Sequence, residues 1–230
     1  MGLREIKKQQ TRTAIADAAL PLFLEYGFDR VTVAEVARHA GVSTNTVFNY
    51  FPAKEDLFFD RGAEAEEHLA AVVRDRAPGT CPVEAVSEDL LAGLRENHPM
   101  LGLRPGATAF WQVILDSPAL LAREREIGER AEAALAAALA GHPPHTPDAP
   151  HTPDAPYTPD AAGHSALPPP ALLAGAVAGT HRAALRELRR RIMAGEAPGA
   201  ARDAVVSAAV QGFGLLCRGL HGPPRDRPGA

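Results

Sequence analysis

The chain has 230 residues, of which 46% are hydrophobic and 23% are charged, and its formal net charge at pH 7 is −4. This composition is typical of a folded globular protein, and it excludes a disordered tail protein and a uniformly basic nucleic-acid coat. Charged residues, glycine or proline interrupt every apolar stretch before about 18 residues, so no membrane span is predicted. A DNA-reading surface is compatible with the acidic balance, because such a surface needs basic residues only where it meets DNA.

The amino end and the cysteines both indicate a protein of the cytoplasm. The first twelve residues are charged and no long apolar stretch follows them, so we expect no secretory signal peptide. Cys81 and Cys217 are far apart and neither has a CxxC partner, which predicts neither a disulfide framework nor a cysteine-based zinc site. Each cysteine is expected to be a small buried hydrophobe, with a redox-sensor role as the alternative. We predict no metal and no cofactor.

The hydrophobic pattern predicts an all-α fold, because apolar residues recur at helical spacing and no segment shows convincing β-alternation. The face of a first helix runs from Ile15 to Tyr26, and Gly27 follows it as a helix terminator. Further helices are predicted at about 53–77, 82–96, 106–116, 118–140, 170–194 and 200–218.

A low-complexity segment interrupts this pattern at 141–170. It contains a proline-rich hexapeptide repeated three times over residues 144–161. Proline at this density forbids helix and central strand, so we expect an extended or disordered insertion. The tail at 222–230 is expected to fray.

Residues 32–50 predict a helix-turn-helix. Thr32 and Glu35 have the spacing of a capping box, which starts a short helix at Val33. Gly41 permits the positive φ of a tight turn, and Ser43 is placed to cap a second helix at about 44–50. Two short helices joined by a glycine-containing turn are the arrangement that places a helix in the DNA major groove.

The exposed side chains predicted for the second helix suit base recognition. They are uncharged hydrogen-bonding groups, namely Thr44, Asn45, Thr46 and Asn49. Asparagine can bind adenine through two hydrogen bonds, and threonine offers a hydroxyl and a methyl group. The alternative interpretation is an ordinary solvated helix surface. Candidate phosphate-binding groups around this helix are Thr32, Ser43, Tyr50 and Lys54, supplemented by the basic amino end.

Residues from about 10 to 60 resemble the DNA-binding domain of the TetR family of bacterial transcriptional regulators. The resemblance rests on the helix that ends in YGFD, the A-x-x-x-G-V-S turn at 37–43, and the F-N-Y-F-P-x-K-E-x-L run at 48–57. It implies a three-helix DNA-binding domain at 1–52, with Tyr50 and Lys54 at phosphate-binding positions. It also implies a helical domain at 53–221 that binds a small molecule and dimerises through the helices at 170–194 and 200–218.

The ligand pocket is predicted from side chains that combine apolar surface with polar groups in the middle helices. The candidates are Met100, Arg104, Phe110 and Trp111, each of which could equally belong to the core. The sequence contains no Walker loop, GxGxxG, GxSxG or HExxH motif, so no catalytic residue and no enzymatic activity are predicted.

The function predicted from these features is that of a homodimeric repressor that a small-molecule ligand releases from a palindromic operator. Two alternatives stay open at this point. One is a transcriptional activator of the same fold, and the other is a dimeric adaptor that no longer binds DNA.

Overall fold

A computed structural model describes residues 2–98, 101–103, 106–141 and 168–221. Met100, Arg104, the repeats at 144–161 and the tail at 222–230 therefore lie outside the described residues. The described part of the chain forms ten α-helices and no strand, which confirms the predicted all-α class. The helices are α1 (Leu3–Tyr26), α2 (Val33–His39), α3 (Thr44–Tyr50), α4 (Lys54–Phe58), α5 (Gly62–Asp75), α6 (Pro82–Arg95), α7 (Ala107–Asp116), α8 (Pro118–Gly141), α9 (Pro170–Met193) and α10 (Pro198–His221).

The chain divides into two compact units, and it passes from one to the other within α5, between residues 103 and 104, and within α8. The first unit comprises residues 1–66 and 104–129, and the second comprises residues 67–103 and 130–230. The first unit thus takes in α7 and the beginning of α8, in addition to the segment expected to form the DNA-binding domain. None of the described helices is both long and apolar enough to cross a bilayer.

Aromatic residues build the core of the first unit. Ile15, Ala19 and Phe23 are fully buried, as the helical spacing in α1 predicts. The Phe23 ring lies 5.1 Å from that of Phe28, and the Phe58 ring of α4 lies 6.0 Å from that of Phe23. Tilted ring pairs at these separations contribute about 0.5–1.5 kcal/mol each beyond the burial of their surface.

The single helix predicted at 53–77 is wrong, because α4 ends at Phe58 and α5 begins at Gly62. Phe59 leaves the helical conformation with φ −98° and ψ 54°. Asp60 and Gly62 are both poor helix formers, which weakens the helix at this point. Arg12 of α1 then donates a hydrogen bond of 2.9 Å to the carbonyl of Asp60, a group that a continuous helix would have used internally.

The buried core of the second unit is aliphatic apart from Phe213, and it is formed mainly where α6, α9 and α10 pack together. An apolar stripe runs along α10, one of the two helices expected to form the dimer, and it lies mostly inside this core. Val205, Ala209 and Phe213 are at most 2% exposed, whereas Val210 is 52% exposed. The stripe therefore packs within one chain, and Val210 is the member of it that faces solvent.

A polar cluster connects three helices of the second unit. His68 of α5 lies 2.7 Å from a carboxylate oxygen of Asp89 in α6, and this hydrogen bond raises the pKa of His68. Burial, reinforced by the charge of His68, lowers the pKa of His181 in α9 to about 4. His181 is therefore neutral at pH 7, whereas the hydrogen bond to Asp89 favours the charged form of His68.

Close packing of α9 on α10 depends on Gly212, because a Cβ there would lie 3.1 Å from the Thr180 methyl group. Thr180 is held in place by its hydrogen bond to the carbonyl of Ala176. We therefore expect Gly212→Ala to lower the free energy of unfolding by about 1 kcal/mol, since overpacking outweighs the gain in helix propensity.

Gly214→Ala is the matched control, because a Cβ there meets only the flexible end of Arg218, at 3.3 Å. This change is expected to raise the free energy of unfolding by about 0.5–1 kcal/mol. Urea unfolding followed by circular dichroism measures both values. An equal rise for the two variants would contradict the close contact at Gly212.

Candidate nucleic-acid interface

The predicted capping box of α2 is present. The backbone N–H of Thr32 donates to Oε2 of Glu35 at 2.7 Å, and the backbone N–H of Glu35 donates to Oγ1 of Thr32 at 3.3 Å. The hydrogen bonds that the Thr32 backbone N–H and hydroxyl donate to the Glu35 carboxylate lower the pKa of that carboxylate. The Thr32 hydroxyl also donates to the same carboxylate at 2.8 Å. Its first role is thus to begin α2 and fix the helix within the domain.

The turn and the start of α3 also follow from local chemistry. Gly41 has φ +67°, a backbone conformation that L side chains rarely adopt. Ser43 caps α3 by accepting a hydrogen bond of 3.0 Å from the backbone N–H of Thr46. The two hydroxyl groups of Ser43 and Thr46 are 2.8 Å apart. On the inner side, Val47 is fully buried against the core of the first unit.

The outer face of α3 presents the predicted base-reading residues to solvent. Thr44, Asn45 and Asn49 are exposed, and Thr46 is half-buried. Phe48 is 47% exposed, an unusual position for a large apolar ring. This face carries no charged side chain, so any specificity of α3 must come from directional hydrogen bonds and apolar contact.

A groove brings this face of α3 together with the beginning of α1. Its lining contains three basic side chains, one acidic side chain and four uncharged polar or aromatic ones: Arg4, Lys7, Lys8, Glu5, Thr11, Thr46, Asn49 and Tyr50. The basic amino end is thus a helix from Leu3 onward, and it lies beside the carboxyl end of α3. Basic groups next to a polar reading face are the combination that binds phosphates while base edges are read.

Arg12 has a structural role that sequence reasoning missed, because its charge was counted with the basic amino end. It donates hydrogen bonds to the carbonyl of Tyr50 at 2.7 Å and to that of Asp60 at 2.9 Å. Its guanidinium also lies 4.2 Å from the centre of the Phe51 ring. Arg12 therefore fastens α1 to the ends of α3 and α4, and Arg4, Lys7 and Lys8 remain as the basic residues of the groove.

Lys54 has intramolecular partners in place of the predicted phosphate. Its Nζ donates a hydrogen bond of 2.6 Å to the backbone carbonyl of Phe28. The same Nζ lies 4.2 Å from the centre of the Phe28 ring. Burial lowers the pKa of Lys54, and the nearby charge of Asp29 opposes this shift. A phosphate contact by Lys54 stays a prediction, and it would require the ammonium to leave these partners.

The structure places Phe110 and Trp111, predicted to line a ligand pocket, against the core of the first unit. The Phe110 ring stacks on that of Phe58, with 4.5 Å between centroids. Beside them, the buried Ser117 donates a hydrogen bond of 2.9 Å to Asp29 in the loop that follows α1. A ligand role for these two aromatic residues stays a prediction, and their observed contacts tie α7 to α4.

Arg123 of α8 makes a further connection to α4. Its guanidinium lies 2.9 Å from Asp56 of α4 and 2.7 Å from Glu126. Asp56 also accepts a hydrogen bond from the backbone N–H of Ala53 at 3.1 Å, which helps to start α4. Glu126 lies only three residues from Arg123, but Asp56 is distant in sequence, so no spacing rule could have predicted the Arg123–Asp56 pair.

Comparison with known proteins agrees with this geometry. Residues 15–60 match the sequence model of the bacterial regulatory proteins of the tetR family, and this segment includes α2, α3 and α4. Residues 15–60 belong to the TetR family of DNA-binding domains. The matched segment also contains every predicted base-reading residue of the chain.

Two curated relatives match different lengths of this chain. HTH-type transcriptional regulator TcmR of Streptomyces glaucescens is 31% identical over 142 residues, which cover 60% of this chain and 63% of the relative. HTH-type transcriptional repressor Rv1474c of Mycobacterium tuberculosis is 39% identical over 61 residues, which cover 26% of this chain and 33% of the relative. The matches thus span less than two thirds of these relatives.

Two solved structures share the fold along most of the chain. NalD of Pseudomonas aeruginosa, described as the secondary repressor of the MexAB-OprM multidrug efflux pump, superposes with a TM-score of 0.53 at 17% identity. That match covers 89% of this chain and 97% of NalD. GusR of Salmonella enterica superposes with a TM-score of 0.53 at 19% identity, covering 93% of this chain and 96% of GusR. At these identities the comparison concerns the fold alone.

Proposed function

We propose that this chain is a homodimeric, sequence-specific DNA-binding repressor that a small-molecule effector releases from a palindromic operator. The observation that carries the proposal is the groove in which the reading face of α3 adjoins Arg4, Lys7 and Lys8. In this proposal Thr44, Asn45 and Asn49 read base edges. Tyr50 and the basic end of α1 hold the phosphate backbone.

Charge distribution supports this division of roles. The chain as a whole carries a formal net charge of −4, so it offers no general attraction to DNA. The groove beside α3, in contrast, holds three basic side chains against one acidic one. Binding should therefore be strong only where both the backbone contacts and the base contacts form, and non-specific binding should be weak at physiological salt.

Dimerisation is proposed because one short helix reads only a few base pairs. A two-fold pair of α3 helices would read two half-sites whose centres lie about 34 Å apart, or a multiple of that distance. On α9 and α10, the helices expected to form the dimer, Leu172, Val210 and Leu215 are 67%, 52% and 65% exposed. Large apolar side chains this exposed are suited to burial against a second copy.

Release by an effector requires that the ligand bind more tightly to a conformation whose two α3 helices do not fit the operator. We propose α5 and α8 as the route, because the chain passes between its two units within these helices. Within the first unit, the contacts Phe110–Phe58, Ser117–Asp29 and Arg123–Asp56 would transmit a shift of α7 or α8 to α4 and to the loop after α1.

The test is a footprint of the purified protein on the DNA upstream of its own gene. A protected palindrome, lost on addition of an effector from a screened panel, is the expected result. The absence of any sequence preference at all salt concentrations would contradict DNA recognition and favour an adaptor. Protection accompanied by increased transcription in vitro would show an activator in place of a repressor.

The basic end of α1 gives a prediction about salt. Lys7→Ala should weaken binding by a similar factor on operator and unrelated DNA, because a phosphate contact carries no sequence information. Each lost contact lowers the slope of log affinity against log salt by about 0.9, so the dimer should lose about 2. Fluorescence anisotropy across a salt series measures the slope.

Gln10→Ala is the control for this measurement. Gln10 lies on another face of α1, in a groove with Ile6, Thr13 and Asp17. The Gln10→Ala variant should show the same slope of log affinity against log salt as the unmodified protein. A Lys7 variant with an unchanged slope would remove the beginning of α1 from the proposed phosphate-binding surface.

A further inference from the structure

The two cysteines of the chain lie far apart in sequence and come together in the folded second unit. Cys81 is the residue before the first turn of α6, and Cys217 lies near the end of α10. Helices α6 and α10 pack against each other, and both cysteines contact the same apolar cluster. A hydrogen bond joins the two side chains, so the sulfur atoms are neighbours.

The surroundings of the two thiols differ. Burial raises the pKa of Cys217 to about 11, and the nearby Cys81 and Glu84 add to this shift. Cys217 is therefore a protonated thiol at neutral pH and a poor initial nucleophile. Cys81 lies outside the helix, at the position that precedes Pro82 at the beginning of α6. Both residues keep partial exposure, so a small oxidant can reach them.

We propose that Cys81 and Cys217 are an oxidant-responsive pair that closes an intrachain disulfide on reaction with a hydroperoxide. The Cys81 thiolate attacks one peroxide oxygen and the O–O bond breaks, giving a sulfenic acid and, for hydrogen peroxide, hydroxide. The sulfur of Cys217 then attacks the sulfenic sulfur. Its proton and the sulfenic hydroxyl leave as water, and the hydroxide takes up the proton that the Cys81 thiol lost, so that one hydrogen peroxide oxidises two thiols and two waters form.

The new bond would join the carboxyl-terminal part of α10 to the beginning of α6. Both helices belong to the second unit and contribute to its core. The disulfide would therefore restrain the movement of α6 relative to α10 and would not involve the first unit. Bond formation does not depend on DNA binding, and its test is independent of the footprint experiment.

The experiment treats the reduced full-length protein with stoichiometric hydrogen peroxide and maps its peptides without reduction. The expected result is loss of both free thiols, one peptide pair linked through Cys81 and Cys217, and a mass decrease of about 2 Da for the single chain. Dithiothreitol should restore both thiols. A link between two chains, overoxidation of either cysteine without a link, or two unreacted thiols would each overturn the proposal.

Two variants and one denatured control separate the roles of the thiols. Cys217→Ser should accumulate a sulfenic acid at Cys81 that dimedone traps, whereas Cys81→Ser should leave Cys217 almost unreacted under the same conditions. In the unmodified protein, the link should form at least about tenfold faster in the folded state than in denaturing urea, because the fold holds the two sulfur atoms together. Equal rates in the two states would overturn the role of the fold.

Discussion

Replacing Asn45 or Asn49 by alanine is expected to weaken operator recognition by at least about 30-fold while leaving the fold intact. Both side chains are exposed on α3, so their truncation removes no core contact. A good side-chain contact to a base contributes about 1–3 kcal/mol of discrimination. A dimer loses the contact in both half-sites, which predicts a loss of about 2–6 kcal/mol, or at least about 30-fold in affinity.

The measurement is the ratio of affinities for the operator and for unrelated DNA at one fixed salt concentration. Binding to unrelated DNA should change little, because the phosphate-binding groups remain. Gln10→Ala is the matched control, since it also replaces a side-chain amide in the first unit but lies away from the groove beside α3. An unchanged affinity ratio for both asparagine variants would show that α3 does not read the bases through these side chains.

The second large effect is expected from Leu215→Asp in α10. Leu215 is 65% exposed in the single chain, so a charge there leaves the core of the second unit intact. In the proposed dimer the same carboxylate would be buried without a partner, which costs several kcal/mol for each copy. The variant should be a folded monomer, and its operator affinity should fall by at least about 100-fold because one α3 reads only a half-site.

Leu115→Asp provides the control for this change. Leu115 of α7 is 44% exposed and belongs to the first unit, outside the proposed dimer surface. This variant should remain a dimer. Sedimentation equilibrium gives the oligomeric state of both variants, and circular dichroism checks that each is folded. A dimeric Leu215→Asp protein would exclude this face of α10 from the interface.

The break between α4 and α5 shows why tertiary contacts limited the sequence analysis. The apolar spacing across residues 53–77 favours one helix, yet the structure has two. The carbonyl of Asp60 is bound by Arg12, which is distant in sequence. Local propensity lowers the cost of a break at Asp60 and Gly62, and the contact with α1 compensates for the lost helical hydrogen bond.

Lys54 and the apolar stripe of α10 also show that a local pattern does not identify the partner of a side chain. The ammonium of Lys54 contacts Phe28, although its position near a helix start equally suited a phosphate. Val205 and Phe213 face the core of their own unit, although their spacing equally suited a dimer seam. A periodic pattern identifies an apolar face, but it carries no information about what covers that face.

The sequence by itself determined the helix-turn-helix. Each of its controlling contacts joins residues three positions apart, as Glu35 joins Thr32 and Thr46 joins Ser43, and such short contacts depend on local backbone geometry. The tertiary structure alone decided that Arg12 fastens α1 to α3, that α7 joins the first unit, and that the basic end of α1 lines the groove beside Asn49. These contacts join distant segments, so they exist only once the helices have packed and their faces have met.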